Sequence, residues 1–355
     1  VVLGYNDLGM HCMNEDYADL MILPPYNTLR TQILERRDSP EFITGDHTVT
    51  YSVPTQHDAA DRTIFWSYVA DLLGVALPTD VGLTGNALTG QMHRVSGKRY
   101  WEASGIPVTP FDDFGRLNTY PLARVDVVGQ AGAATTATVI PVSGELNCNL
   151  CHQAAGISVG MDILQDHDRL HGTDLQNNRP VLCASCHADP ALGAPGVPGV
   201  SALSHAIHGA HADRVGELGL DNECYSCHPG LRTQCQRDVH FLAGIDCNAC
   251  HGGMADVGNP ARTPWVQEPR CGDCHVRPGF EFEQPDTLYK DSVGHRGVSC
   301  FTCHGSPHAI GPAAAETDNL QPIRLQGHEG VINECSVCHS RQPEHPFFHR
   351  VGEDD

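Results

Sequence analysis

One pattern, Cys-x-x-Cys-His, occurs seven times in this chain and constrains its fold more than any other feature. All copies lie between residues 148 and 339, and together they use 14 of the 16 cysteines. The paired cysteines are Cys148 with Cys151, Cys183 with Cys186, Cys224 with Cys227, Cys247 with Cys250, Cys271 with Cys274, Cys300 with Cys303, and Cys335 with Cys338. The histidines that close the motifs are His152, His187, His228, His251, His275, His304 and His339. Motifs at this density leave little room between them for long helices or strands.

Covalent haem attachment is the chemistry that needs this spacing. Two thiols add to the two vinyl groups of a haem, and the adjacent histidine binds the iron. We therefore predict seven covalently attached haem c groups, with the motif histidines as axial ligands. Zinc ribbons also contain paired cysteines, but zinc does not require a histidine after every pair. A thioredoxin-like motif would occur once inside a βαβ unit, and a disulfide framework would not explain the seven histidines.

Each iron also needs a second axial ligand, because an iron without one stays open for chemistry. Only Met161 and Met254 lie in the motif region, whereas eleven histidines outside the motifs follow residue 143. Because histidines outnumber methionines in this region, we predict iron with two histidine ligands at most or all sites. The second ligands that we predict are His171, His205, His208, His240, His295, His308 and His328. The alternatives are His167, His211, His345 and His349, and the sequence leaves the pairing of histidine with motif open.

Charge excludes several other classes of protein. The chain has 43 acidic and 22 basic residues, a net charge of −21. That balance argues against binding to nucleic acid, which needs a basic face, and against docking on anionic membranes. With no apolar run of 18 residues, we also expect no transmembrane segment. The charge instead favours a partner with a basic docking patch, or a mineral or cationic surface.

The first 143 residues contain no motif and follow a different pattern. Their alternating and β-branched stretches predict strands at Leu29–Ile33 and Thr48–Val53 and a hairpin of Leu122–Val128 with Thr135–Val142. An apolar stripe over residues 64–73 predicts one helix, with Asp61 as its N-cap and Gly74 at its end. We therefore predict a small, haem-free, β-rich domain with one helix over residues 1–143.

Residues 144–355 are predicted to form a second, mostly irregular domain of loops and short helices around the haem array. Seven large apolar haems would supply much of its interior. The two remaining thiols, Cys12 and Cys235, are expected either to form a disulfide between the two domains or to stay as buried free thiols.

The seven motifs over residues 148–339 resemble those of multihaem c-type cytochromes. This resemblance implies covalent haem c, mostly bis-histidine iron, export from the cytoplasm and electron transfer. The segments 5–12 and 22–28 are similar to the lead-in of some large exported multihaem cytochromes. More narrowly, the chain resembles the filament-forming nanowire cytochromes of metal-reducing bacteria. That likeness implies a secreted homopolymer in which one subunit donates an axial histidine to the next. His345 and His349 could bind iron in a neighbouring subunit, bind iron in their own chain or be solvated tail residues.

The function that we predict is an electron conduit and not an enzyme. It would lie outside the cell or on its surface, rather than in the periplasm, and deliver electrons to redox partner proteins or to an extracellular acceptor such as a mineral or an electrode. The alternative is a multihaem reductase with one open iron, acting on a small nitrogen or sulfur compound. In a third hypothesis the N-terminal domain is adhesive and the haems are secondary.

Overall fold

Short elements joined by long connections make up most of this protein. The computed structural model describes residues 1–45, 47–130, 132–278, 282–344 and 349. Its strands are β1 (Val2–Asn6), β2 (His11–Cys12), β3 (Leu20–Met21), β4 (Leu29–Glu35), β5 (Glu41–Phe42), β6 (Thr48–Ser52), β7 (Thr89–Gln91), β8 (His93–Arg94), β9 (Trp101–Ala103), β10 (Leu122–Gly129), β11 (Gly132–Val139), β12 (Val142–Ser143), β13 (Val181–Leu182), β14 (Val293–Gly294) and β15 (Val298–Ser299). Its α-helices are α1 (Phe65–Leu73), α2 (Val159–His171), α3 (Leu203–His211), α4 (Val239–Leu242), α5 (Cys247–His251), α6 (Met254–Val257), α7 (Cys271–Cys274), α8 (Cys300–His304) and α9 (Glu316–Gln326).

Two antiparallel sheets and helix α1 form the N-terminal part. One sheet has the order β1-β4-β9-β8 with β5 beside β4, and the other has the order β11-β10-β6-β7. Apolar side chains from both sheets pack with Phe65, Val69 and Leu72 of α1 in one core. Burying such side chains removes apolar surface from water, which stabilises the fold by about 25 cal/mol per Å² of buried apolar surface. The predicted β-rich fold with one helix is confirmed.

The predicted elements of this part are present with small shifts at their ends. Helix α1 ends at Gly74, whose φ of 68° is the left-handed conformation that favours glycine. The prediction of Asp61 as its N-cap is wrong. Ile64 occupies the N-cap, and no side chain makes a capping hydrogen bond there. The reason is a turn at residues 59–62, where Arg62 N–H donates to Ala59 O and places Asp61 outside the helix.

The motif region is loop-rich with short helices, as predicted. Only α2, α3 and α9 among its described helices exceed five residues. Each motif begins or lies in a single helical turn, four of them in the 3-10 turns Asn147–Leu150, Cys183–Ser185, Glu223–Ser226 and Cys335–Val337. Connections between short helices and strands therefore make up most of this region.

The N-terminal sheets contact the motif region at several places. Strand β2 pairs in parallel with β12, and β3 pairs in parallel with β13 directly before the second motif. Gly4 in β1 exchanges two hydrogen bonds with the Gln321 side chain of α9, at 2.9 and 2.8 Å. Arg37 forms an isolated bridge with His339 of the last motif. The domain boundary between residues 143 and 144 stays a prediction.

Glu145 fastens the first motif to the third. Its buried carboxylate accepts hydrogen bonds from the backbone N–H groups of Leu231, Arg232 and Thr233 and from the Thr233 hydroxyl. It also accepts one from the Asn147 amide at 2.8 Å. Burial opposes ionisation, but these donors outweigh it and lower the pKa of Glu145 to about 2.

We expect Glu145→Gln to destabilise the protein by about 3 kcal/mol at neutral pH. The folded-state pKa lies below the ordinary value of 4.5, so this stabilisation is complete above that value and is lost as the pH falls towards 2. The difference between wild type and variant in the free energy of unfolding should therefore shrink below about pH 4.5. Urea titrations at several pH values measure it. The exposed Glu41 provides the control, since Glu41→Gln should change stability by less than about 0.5 kcal/mol. A constant difference down to pH 3 would contradict this role for Glu145.

Candidate haem sites

The single helical turn at each motif presents its three functional side chains together. In five motifs the histidine N–H donates to the carbonyl of the first cysteine, at 2.8–3.1 Å. The motifs concerned are those that end at His152, His187, His228, His275 and His339. Residues at positions i, i+3 and i+4 of a helical turn share one face. The two thiols and the imidazole therefore lie on the same side of the chain, as covalent attachment to a haem requires.

Every motif histidine faces a second histidine. The centroids of the paired rings lie 5.6–6.4 Å apart. The pairs are His152 with His211, His187 with His167, His228 with His208, His251 with His308, His275 with His240, His304 with His349, and His339 with His295. Metal–imidazole bonds are about 2 Å long, so two imidazoles on opposite sides of one metal place their centroids about 6 Å apart. The residues present thus fit an iron between the rings of each pair.

Hydrogen bonds orient several of these rings. The Nδ1–H groups of His187, His208, His211 and His339 donate to the backbone carbonyls of Ser201, Ser204, Ile207 and Asp38, at 2.7–2.9 Å. A proton held on Nδ1 leaves the lone pair on Nε2 for a metal. In another pair, His240 Nδ1 lies 3.0 Å from a carboxylate oxygen of Asp238. Partners of this kind fix the tautomer and the plane of a ligand ring.

Burial keeps several of the paired imidazoles neutral. It lowers the pKa of His228, His304 and His308 to about 4 in each case. Neutral imidazole is the form that binds a metal. Burial also raises the pKa of the Cys183 and Cys303 thiols to about 12.

Three of the predicted second ligands lie elsewhere. His205 Nε2 is 2.8 Å from the Arg262 carbonyl, so the nitrogen that a metal would need is already used. His328 donates through Nδ1 to the Glu329 carbonyl and lies 3.9 Å from Glu334. His171 is at the end of α2, with its ring 4.8 Å from that of His167, too close for a metal between them. His167, His211 and His349 take these places opposite motif histidines. His345 lies outside the described residues.

Parts of this sequence are similar to those of known proteins. The family model of cytochrome c554 and c-prime matches residues 255–305, which hold the fifth and sixth motifs. The C-type polyheme cytochrome OmcB of Geobacter sulfurreducens is 27% identical over 146 residues, which cover 34% of this chain and 20% of OmcB. The C-type polyheme cytochrome OmcC of the same organism is 24% identical over 134 residues, covering 34% of this chain and 14% of OmcC. The chain is a multihaem c-type cytochrome.

The multihaem cytochrome thus spans about a fifth or less of the length of these curated relatives. No solved structure matches it. Among the described residues, no helix of the cytochrome is both long and apolar enough to cross a membrane.

A loop near the start of the cytochrome holds His308 in place. The backbone of Gly9 packs so closely on Pro307 that a β-carbon at Gly9 would lie 1.6 Å from the Pro307 carbonyl oxygen. The Ser306 hydroxyl donates to the carbonyl of Asn6 at 2.8 Å. His308 itself has a φ of 62°, which is unusual for a non-glycine residue and needs such support. Sequence reasoning noticed the segment 5–12 but did not give it this role.

The two thiols outside the motifs are not joined. Cys12 and Cys235 are both free, so of the two alternatives the structure has the two free thiols. Burial, followed by the charge of the Cys235 thiol, raises the pKa of Cys12. Cys235 Sγ lies 3.7 Å from His308 Nδ1, so this thiol serves as a hydrogen-bond partner of a paired histidine.

Proposed function

We propose that this multihaem cytochrome binds seven haem c groups, each between two histidines, and acts as an electron carrier. The proposal depends on one observation: each of the seven motif histidines faces a second histidine about 6 Å away, centroid to centroid. The second ligands that we now propose are His211, His167, His208, His308, His240, His349 and His295, in the order of the motifs. His171, His205 and His328 are withdrawn from the set.

When bound, haem c supplies an iron that gains and loses one electron without a change of ligands. The cytochrome's own residues do the remaining work. Paired imidazoles hold the metal from both sides, the thiols fix the ring covalently, and carbonyl acceptors keep the imidazoles in one tautomer. Two histidines at every site leave no position for a substrate. We therefore propose electron transfer rather than catalysis on a small nitrogen or sulfur compound.

Haem counting and spectroscopy test this proposal. The intact mass should show seven haem additions, and the oxidised protein should give only low-spin ferric signals. Carbon monoxide should bind to no more than a trace of the reduced protein, because no iron is open. A mass with fewer additions, or a stoichiometric high-spin iron, would contradict ligation by two histidines at all seven sites.

Two histidines of helix α3 give a matched pair of variants. We expect His211→Ala to open one iron, so that the protein binds about one equivalent of carbon monoxide and gains one high-spin signal. His205→Ala should leave all irons low-spin, because His205 bonds to the Arg262 carbonyl and faces no motif histidine. Carbon monoxide titration and electron paramagnetic resonance measure both. Equal spectra from the two variants would reject our assignment of His211.

For location and partners we propose export, with the cell surface or exterior as the site of action. OmcB and OmcC are named as polyheme cytochromes, and attachment of haem c to so many thiols suits an oxidising compartment. The net charge of −21 favours a redox partner with a basic docking patch, or a mineral or electrode surface. Association should weaken as salt rises.

We propose separately that the protein assembles into a homopolymer. His349 faces His304 of its own chain, so the seven histidine pairs need no ligand from a neighbour. A monomer should therefore already be low-spin at every iron. Light scattering over a range of concentrations tests assembly, and a constant monomer mass would count against a filament.

A further inference from the structure

We infer that the seven haem sites form one unbranched chain in the order second, first, third, fourth, fifth, sixth and seventh, counted by motif along the sequence. The inference rests on the proposed function. It adds an order in which the first two sites are exchanged relative to the sequence, so that the second site is a terminus.

Helix α3 joins the first site to the third. His208 and His211 are three residues apart on it, one facing His228 of the third motif and the other facing His152 of the first. The residue before the first motif also contacts the third motif directly. Asn147 N–H lies 3.4 Å from the Cys227 carbonyl, and the Asn147 amide donates to the Tyr225 carbonyl at 3.0 Å. One turn of helix therefore serves both sites.

Helix α2 joins the first site to the second. Asp162 and Asp166 lie 3.7 and 3.8 Å from His152 Nδ1 of the first motif. The next residue, His167, faces His187 of the second motif. The second site also reaches the start of α3, where Leu203 N–H donates to the Ala188 carbonyl at 3.0 Å. Leu203 is at the opposite end of α3 from His211, so α3 does not bring the second site close to His211. The first site is instead the neighbour of the second because both contact helix α2.

Direct contacts link the third site to the fourth and the fourth to the fifth. Cys224 Sγ of the third motif lies 3.6 Å from the Asn248 side-chain oxygen of the fourth. Residues 237–239 then run beside residues 308–310, with hydrogen bonds from Arg237 N–H to His308 O and from Val239 N–H to Ile310 O. This pairing brings His308 of the fourth site beside the segment that carries His240 of the fifth.

An aromatic ring links the fifth site to the sixth. The Phe282 ring lies 6.3 Å from His275 of the fifth motif and 6.3 Å from His349, which faces His304 of the sixth. The sixth and seventh sites share an apolar cluster against which both Cys303 and Cys338 pack. Ile332 N–H also donates to the Cys303 carbonyl at 2.9 Å.

Both termini of this chain of sites lie against the N-terminal part. At the second site, Arg179 pairs with Asp19 at 2.6 Å, and β13 pairs with β3. At the seventh site, His339 donates to the Asp38 carbonyl at 2.9 Å. Because the second and seventh sites are the two ends of this order, electrons should enter at one of them and leave at the other.

A labelled variant tests the order in the full-length, haem-loaded protein. Arg341, beside the seventh site, has an 82% exposed side chain, so Arg341→Cys accepts a thiol-reactive photosensitiser. His167→Met marks the second site, since methionine ligation adds its own absorption band and raises the potential, which makes that site the electron sink. After a flash, electrons should arrive at the marked site.

Adding Cys148→Ala with Cys151→Ala removes the first site. We expect fast arrival at the marked site to be lost, while the mass shows six haems and the methionine band persists. Unchanged arrival would overturn the order, since it would join the second site directly to the third. If the double variant does not mature, His211→Met replaces it. Methionine ligation raises the potential of the first site, which then traps electrons and should slow their arrival at the second site. An unchanged rate of arrival at the second site would again overturn the order. Absence of arrival in the labelled parent with all seven haems would instead reject the electron-carrier proposal itself.

Discussion

Gly9→Ala is expected to destabilise the cytochrome by about 3 kcal/mol or more, at the upper end of the cost of overpacking. The new methyl group would lie 1.6 Å from the Pro307 carbonyl oxygen and 3.1 Å from the β-carbon of His308. Because the obstacle is backbone, a side-chain rotation does not relieve the clash, and the loop that carries His308 has to move. Denaturant titration measures the loss of stability. Carbon monoxide binding reports whether the iron opposite His251 has opened.

Gly45→Ala is the matched control for this variant. A β-carbon at Gly45 meets no atom within 4 Å, so its substitution should change stability by less than about 0.5 kcal/mol. Equal stability of the two variants would show that the loop at Gly9 yields easily, and it would remove our explanation of how the segment 5–12 positions His308.

Arg237→Met is expected to cost about 3–5 kcal/mol, because it leaves the largely buried carboxylate of Asp318 without its partner. The Arg237 side chain is 1% exposed and pairs with Asp318 at 2.6 and 3.0 Å. It also donates to the carbonyls of Gly9 and Cys235, and its guanidinium lies 4.6 Å from the centre of the Tyr120 ring. One buried cation thus ties the N-terminal part to the segment between the third and fourth motifs.

A double substitution separates the ion pair from its surroundings. Arg237→Met with Asp318→Leu removes both charges, so it should recover much of the stability that the single variant loses. The exposed pair of Arg124 and Asp126 is the control, and Arg124→Met should cost no more than about 1 kcal/mol. The pair would not be the cause if the double variant were less stable than Arg237→Met.

The sequence predicted the elements whose pattern is local. Alternation over residues 48–53 predicted β6, the stripe over 64–73 predicted α1, and the dense motifs predicted short helices and loops after residue 143. Which histidine faces which motif is not local. His205, His208 and His211 follow one another at three-residue intervals, and spacing alone does not show which two of them point at motifs. The contact of Gly9 with Pro307 joins residues almost 300 positions apart, and no sequence pattern marks it.

Helix α3 has a consequence for the order of maturation. Its paired histidines, His208 and His211, belong to different sites. When a haem completes either site, the helix becomes ordered and the histidine of the other site is already in position. The conformational entropy of the helix is then lost only once for two sites. Haem incorporation at the first and third motifs should therefore be positively cooperative, and partly loaded wild-type chains should hold both of these haems more often than one of them alone.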